Sequence, residues 1–235
     1  MWGMATRSPI ANDEWYHCFN RGVDKRRVFM DKRDCDRFLL LLYLCNDSTS
    51  SVNLAELRHI HTLERLLARN GNDYVRGTPL IEIGAYALMR NHVHVVLKQL
   101  AENGLALFMQ KVFTGYTMYF NKKHERTGAL FAGSYKSRHI ANDEYFKHAI
   151  QYVLFNPIEL FEPGWKKGIG NLKNVEKWLR EYKYSSLPDF ISEKRPENSV
   201  VADIRSEHFH SVPTLTEMLT EAQEYYQENA KFLER

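Results

Sequence analysis

Several things are scarce in this 235-residue chain, and each scarcity narrows what it can be. There are three cysteines, Cys18, Cys35 and Cys45, an odd number with no Cys-x-x-Cys spacing. A disulfide-stapled secreted scaffold is therefore excluded, and a reducing compartment is expected. The longest apolar run, Phe38 to Cys45, spans eight residues, far short of the ~18–20 that cross a bilayer. No basic segment followed by an apolar stretch opens the sequence, so no secretion signal is expected and the expected location is the cytoplasm. Repeats of 20–50 residues and low-complexity tracts are absent. Twelve glycines and seven prolines among 44% hydrophobic and 26% charged residues rule out collagen-like and disordered classes. At this length one core can form without covalent staples.

Excess charge is also small, at +3, but it is unevenly placed. Residues 201–235 carry three basic and seven acidic side chains, which leaves the surplus of positive charge on residues 1–200. Within residues 110–140, Lys111, Lys122, Lys123, Arg126, Lys136 and Arg138 face Glu125 alone, interleaved with Tyr116, Tyr119, Phe131 and Tyr135. Cations spaced among aromatic rings suit a surface that follows a phosphate backbone and stacks bases. The same pattern also fits a solvated basic face above ordinary core aromatics.

Periodicity orders the chain. Residues 14–20 read as a strand that ends at an Arg21-Gly22 turn. Residues 31–45 read as a helix capped by Asp31, with Cys35, Phe38, Leu41, Leu42 and Cys45 at helical spacing. Residues 46–78 read as an insertion holding a basic amphipathic helix over 54–69. Residues 79–89 and 92–97 form a hairpin. A helix marked by Leu105, Phe108, Val112, Tyr116 and Tyr119 fades near Lys122. A strand over 129–140 with Gly133 as a possible bulge follows, and then a helix capped by Asn142 that ends near Pro157. This order predicts an α+β fold, an antiparallel sheet with helices on one face. Residues 161–178 read as loop, Leu187-Pro188 as the close of the compact part, and residues 214–233 as an acidic helix.

Ten histidines include three His-x-His triplets, and secondary structure separates them. His59-Ile60-His61 falls in a predicted helix, where residues two apart diverge by about 200°. His208-Phe209-His210 falls in the tail with no regular element around it. His92-Val93-His94 falls in a strand, so both rings face one way, ~7 Å apart, while Val93 and Val95 face the core. In the helix capped by Asn142, Phe146, Ala149, Ile150, Val153 and Leu154 form an apolar side. Tyr145, His148, Tyr152 and Asn156 form a narrow stripe on the other. If the sheet presents His92 and His94 to that stripe, two imidazoles and one amide can hold a metal beside a tyrosine hydroxyl. A divalent ion so held can polarise a phosphodiester. A phenol of pKa ~10 needs such help to act as a nucleophile near neutrality. The alternative is a half-exposed strand facing a helix whose tyrosines reach solvent.

Two motifs, Asn91-His92-Val93-His94 after Ala87-Leu88-Met89 and Tyr152-Val153-Leu154-Phe155-Asn156-Pro157, resemble the signatures of single-tyrosine HUH transposases, and more closely the REP-associated tyrosine transposases. Tyr16-His17-Cys18-Phe19-Asn20-Arg21-Gly22, Tyr119-Phe120-Asn121-Lys122-Lys123, Gly128-Ala129-Leu130-Phe131, Ser134-Tyr135-Lys136-Ser137 and Tyr182-Lys183-Tyr184-Ser185-Ser186 fit the same family. The resemblance covers residues 15–190 apart from the insertion at 46–78, and places residues 191–235 as a partly helical acidic extension of a 1–190 transposase domain. Arg90 stands where proline is common before Asn-His-x-His, and Leu154 where histidine is common.

The resemblance implies an RRM-like, ferredoxin-like core with an added helix that carries the nucleophile. It implies cleavage and rejoining of single-stranded DNA at hairpins. Tyr152 would take the 5′-phosphate, with His92, His94 and Asn156 as ligands of Mg2+ or Mn2+. The expected partner is single-stranded or hairpin DNA, met by a monomer or homodimer, with Arg21, Arg126, Lys136 and Arg138 as expected phosphate contacts. A catalytically silent, domesticated hairpin-binding protein is the competing reading. A zinc hydrolase would need a further His, Asp or Glu converging on the paired imidazoles.

Overall fold

The computed structural model describes residues 10–49, 62–68, 77–191, 195–204 and 213–228. The triplets at 59–61 and 208–210, and most of the helix expected over 54–69, lie outside them. Four antiparallel strands, β1 (Trp15–Arg21), β2 (Ile81–Met89), β3 (His92–Gln99) and β4 (Lys136–His139), pair in the order β2-β3-β1-β4. With helices between β1 and β2 and between β3 and β4, this is the ferredoxin-like arrangement that the RRM shares.

Helix α1 (Lys32–Leu44) starts where expected, because the Asp31 carboxylate accepts the Asp34 N–H at 3.1 Å. Helix α2 (Leu63–Leu67) is a short turn above it. Helix α3 (Gly104–Lys123) buries Leu105, Phe108, Val112 and Tyr116 at the predicted spacing. Together α1 and α3 cover one face of the sheet, packing on Tyr16, Cys18, Tyr86, Leu88, Val93, Val95 and Leu97. Cys18, Cys35 and Cys45 are buried thiols with no disulfide among them.

The other face is covered too, by elements that follow β4. Helix α4 (Asp143–Phe155) begins at Asn142, whose side chain accepts the Tyr145 N–H at 2.8 Å. It buries Phe146, Ala149, Ile150, Val153 and Leu154 against Trp15, Ala85, Ala87 and Val96 of the sheet. Helices α5 (Ile158–Phe161), α6 (Leu172–Glu181) and α7 (Leu187–Phe190) follow, and α8 (Leu215–Glu228) lies against α4. None of the helices among the described residues is long and apolar enough to cross a membrane.

Three expectations need correction. The strand expected over 129–140 is only β4, four residues long. Gly133 takes φ +82° and turns the chain out of the ladder, so that Phe131 keeps a single bridge to Gly22. The stretch 161–178 holds most of α6, which buries Val175 and Leu179. The compact part does not close at Leu187-Pro188, because Leu215, Met218, Leu219, Ala222 and Tyr226 of α8 sit in the same core as α4.

Candidate active site

β3 alternates as its sequence requires. Val93 and Val95 fill the core beneath α1 and α3, and His92 and His94 face α4 on the opposite side. Their ring centroids are 5.0 Å apart and nearly perpendicular. From α4, Tyr152 brings its ring to 5.3 Å from that of His94, edge-on. Asn156, the C-cap residue one turn further, sets Oδ1 3.4 Å from His92 Nε2. The four residues that the sequence singles out are therefore brought together at the C-terminal end of α4.

Hydrogen bonding fixes how the imidazoles can act. His92 Nδ1 lies 2.6 Å from Asn91 Oδ1, and the Asn91 amide is itself oriented by donating to the Lys25 carbonyl at 3.1 Å. Asn91 Oδ1 can only accept, so Nδ1 carries the proton and Nε2 keeps its lone pair. That lone pair faces another acceptor, Asn156 Oδ1. A cation between the two acceptors would satisfy both, as would a proton on Nε2, so Asn156 favours either form of positive charge at this point.

Electrostatics agree with this donor set. Burial holds the His92 imidazole down to about 4, helped by the charges of Arg21 and Lys166 and opposed by Asn156. Burial, His17 and His92 hold His94 well below its ordinary value. Both rings are neutral near pH 7, the state in which imidazole binds a metal. Two neutral nitrogens and an amide oxygen fit a divalent cation in composition. Burial pushes the Tyr152 phenol up, while the Asn156 side chain and the charges of Arg138 and Arg21 draw it back.

Tyr152 also lines a cavity of about 370 Å³ with His17, Phe19, His94, Arg138 and Tyr145 on its walls. Tyr145 and His148, the N-terminal part of the α4 stripe, lie along this cavity, and His148 stacks on Tyr225 at 4.1 Å. Of the basic residues singled out in the sequence, Arg138 lines the cavity and Arg21 stands opposite His92 in the β1–β3 pairing. Lys136 is exposed on β4 opposite Phe19. Arg126 is not brought to the cavity. Its guanidinium donates to Asn121 Oδ1 (2.6 Å) and the Ala129 carbonyl (3.3 Å), closing the loop after α3.

Three groups at the site escape a local reading of the sequence. His17 Nε2 lies 2.9 Å from His94 Nδ1, and its ring is 5.5 Å from Tyr152. The inward Cys18 puts His17 on the outward face, yet only the β1–β3 register brings it to His94. Lys166, in a stretch that reads as loop, holds Nζ 4.7 Å from the Tyr152 ring and 5.0 Å from that of Tyr226. Tyr226 itself arrives with α8, and no local pattern signals either of them.

No family model matches the sequence, and no curated protein matches it. Among solved structures the chain is similar to a REP-associated tyrosine transposase bound to a REP hairpin, at 13% identity and a TM-score of 0.39, over 83% of this chain and 90% of that one.

Proposed function

We propose that this chain is a DNA strand-transferase that cuts and rejoins single-stranded DNA beside a hairpin. The Tyr152 oxygen attacks the phosphorus, the bond to the 3′-oxygen breaks, the phenol loses its proton and the departing 3′-oxygen gains one. The product is a 5′-phosphotyrosine and a free 3′-hydroxyl, and because the ester is kept on the protein, rejoining is the reverse exchange. The observation that carries this reading is the meeting of the Tyr152 ring with His94 at 5.3 Å while Asn156 Oδ1 faces His92 Nε2.

The residues divide the work. Asn156, Arg21 and Arg138 offset the effect of burial on the phenol, which favours its ionised form. Arg138, on the cavity wall, and Arg21, opposite His92 in the β1–β3 pairing, would meet phosphate oxygens. His92, His94 and Asn156 would hold Mg2+ or Mn2+, and imidazole ligands favour Mn2+. When bound, that ion supplies Lewis acidity towards the phosphodiester.

The test is covalent capture of a hairpin oligonucleotide carrying a single-stranded flank, in the presence of Mn2+. A denaturation-resistant adduct is expected with the parent chain and with Tyr145→Phe, and none with Tyr152→Phe. Capture that survives in Tyr152→Phe would refute the nucleophile. Undiminished hairpin affinity in EDTA, with no cleavage under any divalent ion, would mark a binding protein instead.

A further inference from the structure

On the far side of the sheet from Tyr152, α1, α2 and α3 enclose a larger cavity of about 720 Å³. Arg37 of α1 lines it with only 8% of its surface exposed. Its Nε has no hydrogen-bond partner, and the ring centre of Tyr119 lies 5.6 Å from the guanidinium carbon. Arg33 and Arg65 stand on the same walls, and among the described residues none of the three arginines forms an ion pair.

The other lining charges are accounted for. Lys123 is held by Asp31 and Asp34 at 2.7 Å each, and Asp36 lies 3.4 Å from Lys183. Glu64 is exposed. Three guanidinium groups without an ion pair thus line one space with two carboxylates, Asp36, which lies near Lys183, and the exposed Glu64. Of the three, Arg37 has left most of its water with Nε unpaired and the Tyr119 ring beside it, a costly state that an anion on the cavity side would relieve. Its planar fork matches two oxygens of one phosphate, which a lysine would not.

We propose that this cavity is a phosphate-binding site, with Arg37 at its floor and Arg33 and Arg65 at its mouth. Its volume exceeds that of a phosphate ion and suits a nucleotide, so the phosphate would belong to a free nucleotide or to one link of a DNA strand. The inference is independent of the chemistry at Tyr152.

Titration calorimetry on the full chain tests it, with pyrophosphate, thymidine 5′-diphosphate and a twelve-residue oligothymidylate as probes. Pyrophosphate is expected to bind the parent and Tyr152→Phe equally, and Arg37→Met at least tenfold more weakly. Arg65→Gln, at an exposed position, is expected to weaken it about threefold, and it decides the matter if Arg37→Met does not fold. Whichever of the nucleotide and the oligonucleotide loses affinity in these variants identifies the source of the phosphate. The proposal is overturned if the parent binds none of the probes, or if both arginine variants bind them as the parent does. The covalent adduct at Tyr152 is read separately, so either idea can fail alone.

Discussion

His17 Nε2 lies 2.9 Å from His94 Nδ1, and this contact decides which nitrogen of His94 is left to face the Tyr152 cavity. With Nδ1 engaged, only Nε2 can act as a ligand. Partners of this kind orient a ligating imidazole and typically account for 10–100-fold of metal affinity. His17→Leu is therefore expected to weaken Mn2+ binding at least tenfold in isothermal titration, and His17→Gln, which can still hydrogen-bond, by less. Unchanged affinity in His17→Leu would remove the orienting role.

This contact also shows where a reading of the sequence stops. The α4 stripe was legible because its causes are local: an Asn142 cap, five apolar residues at helical spacing, and Tyr152 and Asn156 one turn apart. The outward pair His92 and His94 was legible because alternation along a strand is local as well. His17 became part of the site only through pairing between strands more than seventy residues apart, which no periodicity encodes. In the stretch 161–178, Pro163, Gly164, Gly168 and Gly170 crowd the residues before α6, and they mask a helix whose Leu172, Val175, Trp178 and Leu179 do recur at helical spacing and pack on the core. Gly133 reads as a bulge in the sequence, yet its positive φ ends the ladder, a choice that depends on where the chain must go next.

Asp31 has two separable roles, as cap of α1 and as partner of Lys123 at 2.7 Å. Its carboxyl is half exposed, so the ion pair is worth a few tenths of a kcal/mol, while loss of a cap costs about 1 kcal/mol. Asp31→Ala is expected to lower stability by about 1 kcal/mol in urea unfolding, and Asp31→Asn, which keeps an acceptor, by clearly less. Burial raises the Asp31 pKa, but the Lys123 and Asp34 hydrogen bonds prevail and leave it below 3.8. A depressed carboxylate stabilises above its unfolded value and loses that contribution as pH falls through the folded one. The gap between parent and Asp31→Asn should therefore close in acid below that value.

If residues 191–235 were an appendage, changes in α8 would leave stability untouched. Met218 and Leu219 are fully buried beside α4, and Tyr226 meets Trp165 at 5.2 Å. Met218→Ala is expected to cost about 2–5 kcal/mol, the range for a buried large-to-small change, in a single urea transition. A cost near zero would return α8 to the status of an extension.

Lys166 offers a test in which two measurements should move in opposite directions. Its Nζ sits between the Tyr152 and Tyr226 rings at 4.7 and 5.0 Å, and burial lowers its pKa while Glu159 opposes the shift. Its charge helps to depress His92 and His94, so it opposes positive charge at those imidazoles. The same field attracts a phosphate entering the cavity that Lys166 lines. Lys166→Met keeps the packing of the stem and removes the charge. Mn2+ affinity should rise about threefold to tenfold, on the Coulomb scale for a partly buried charge, and single-stranded DNA affinity measured by fluorescence anisotropy should fall. If both affinities drop together, Lys166 acts by holding the Tyr152 and Tyr226 rings in place and not through its charge.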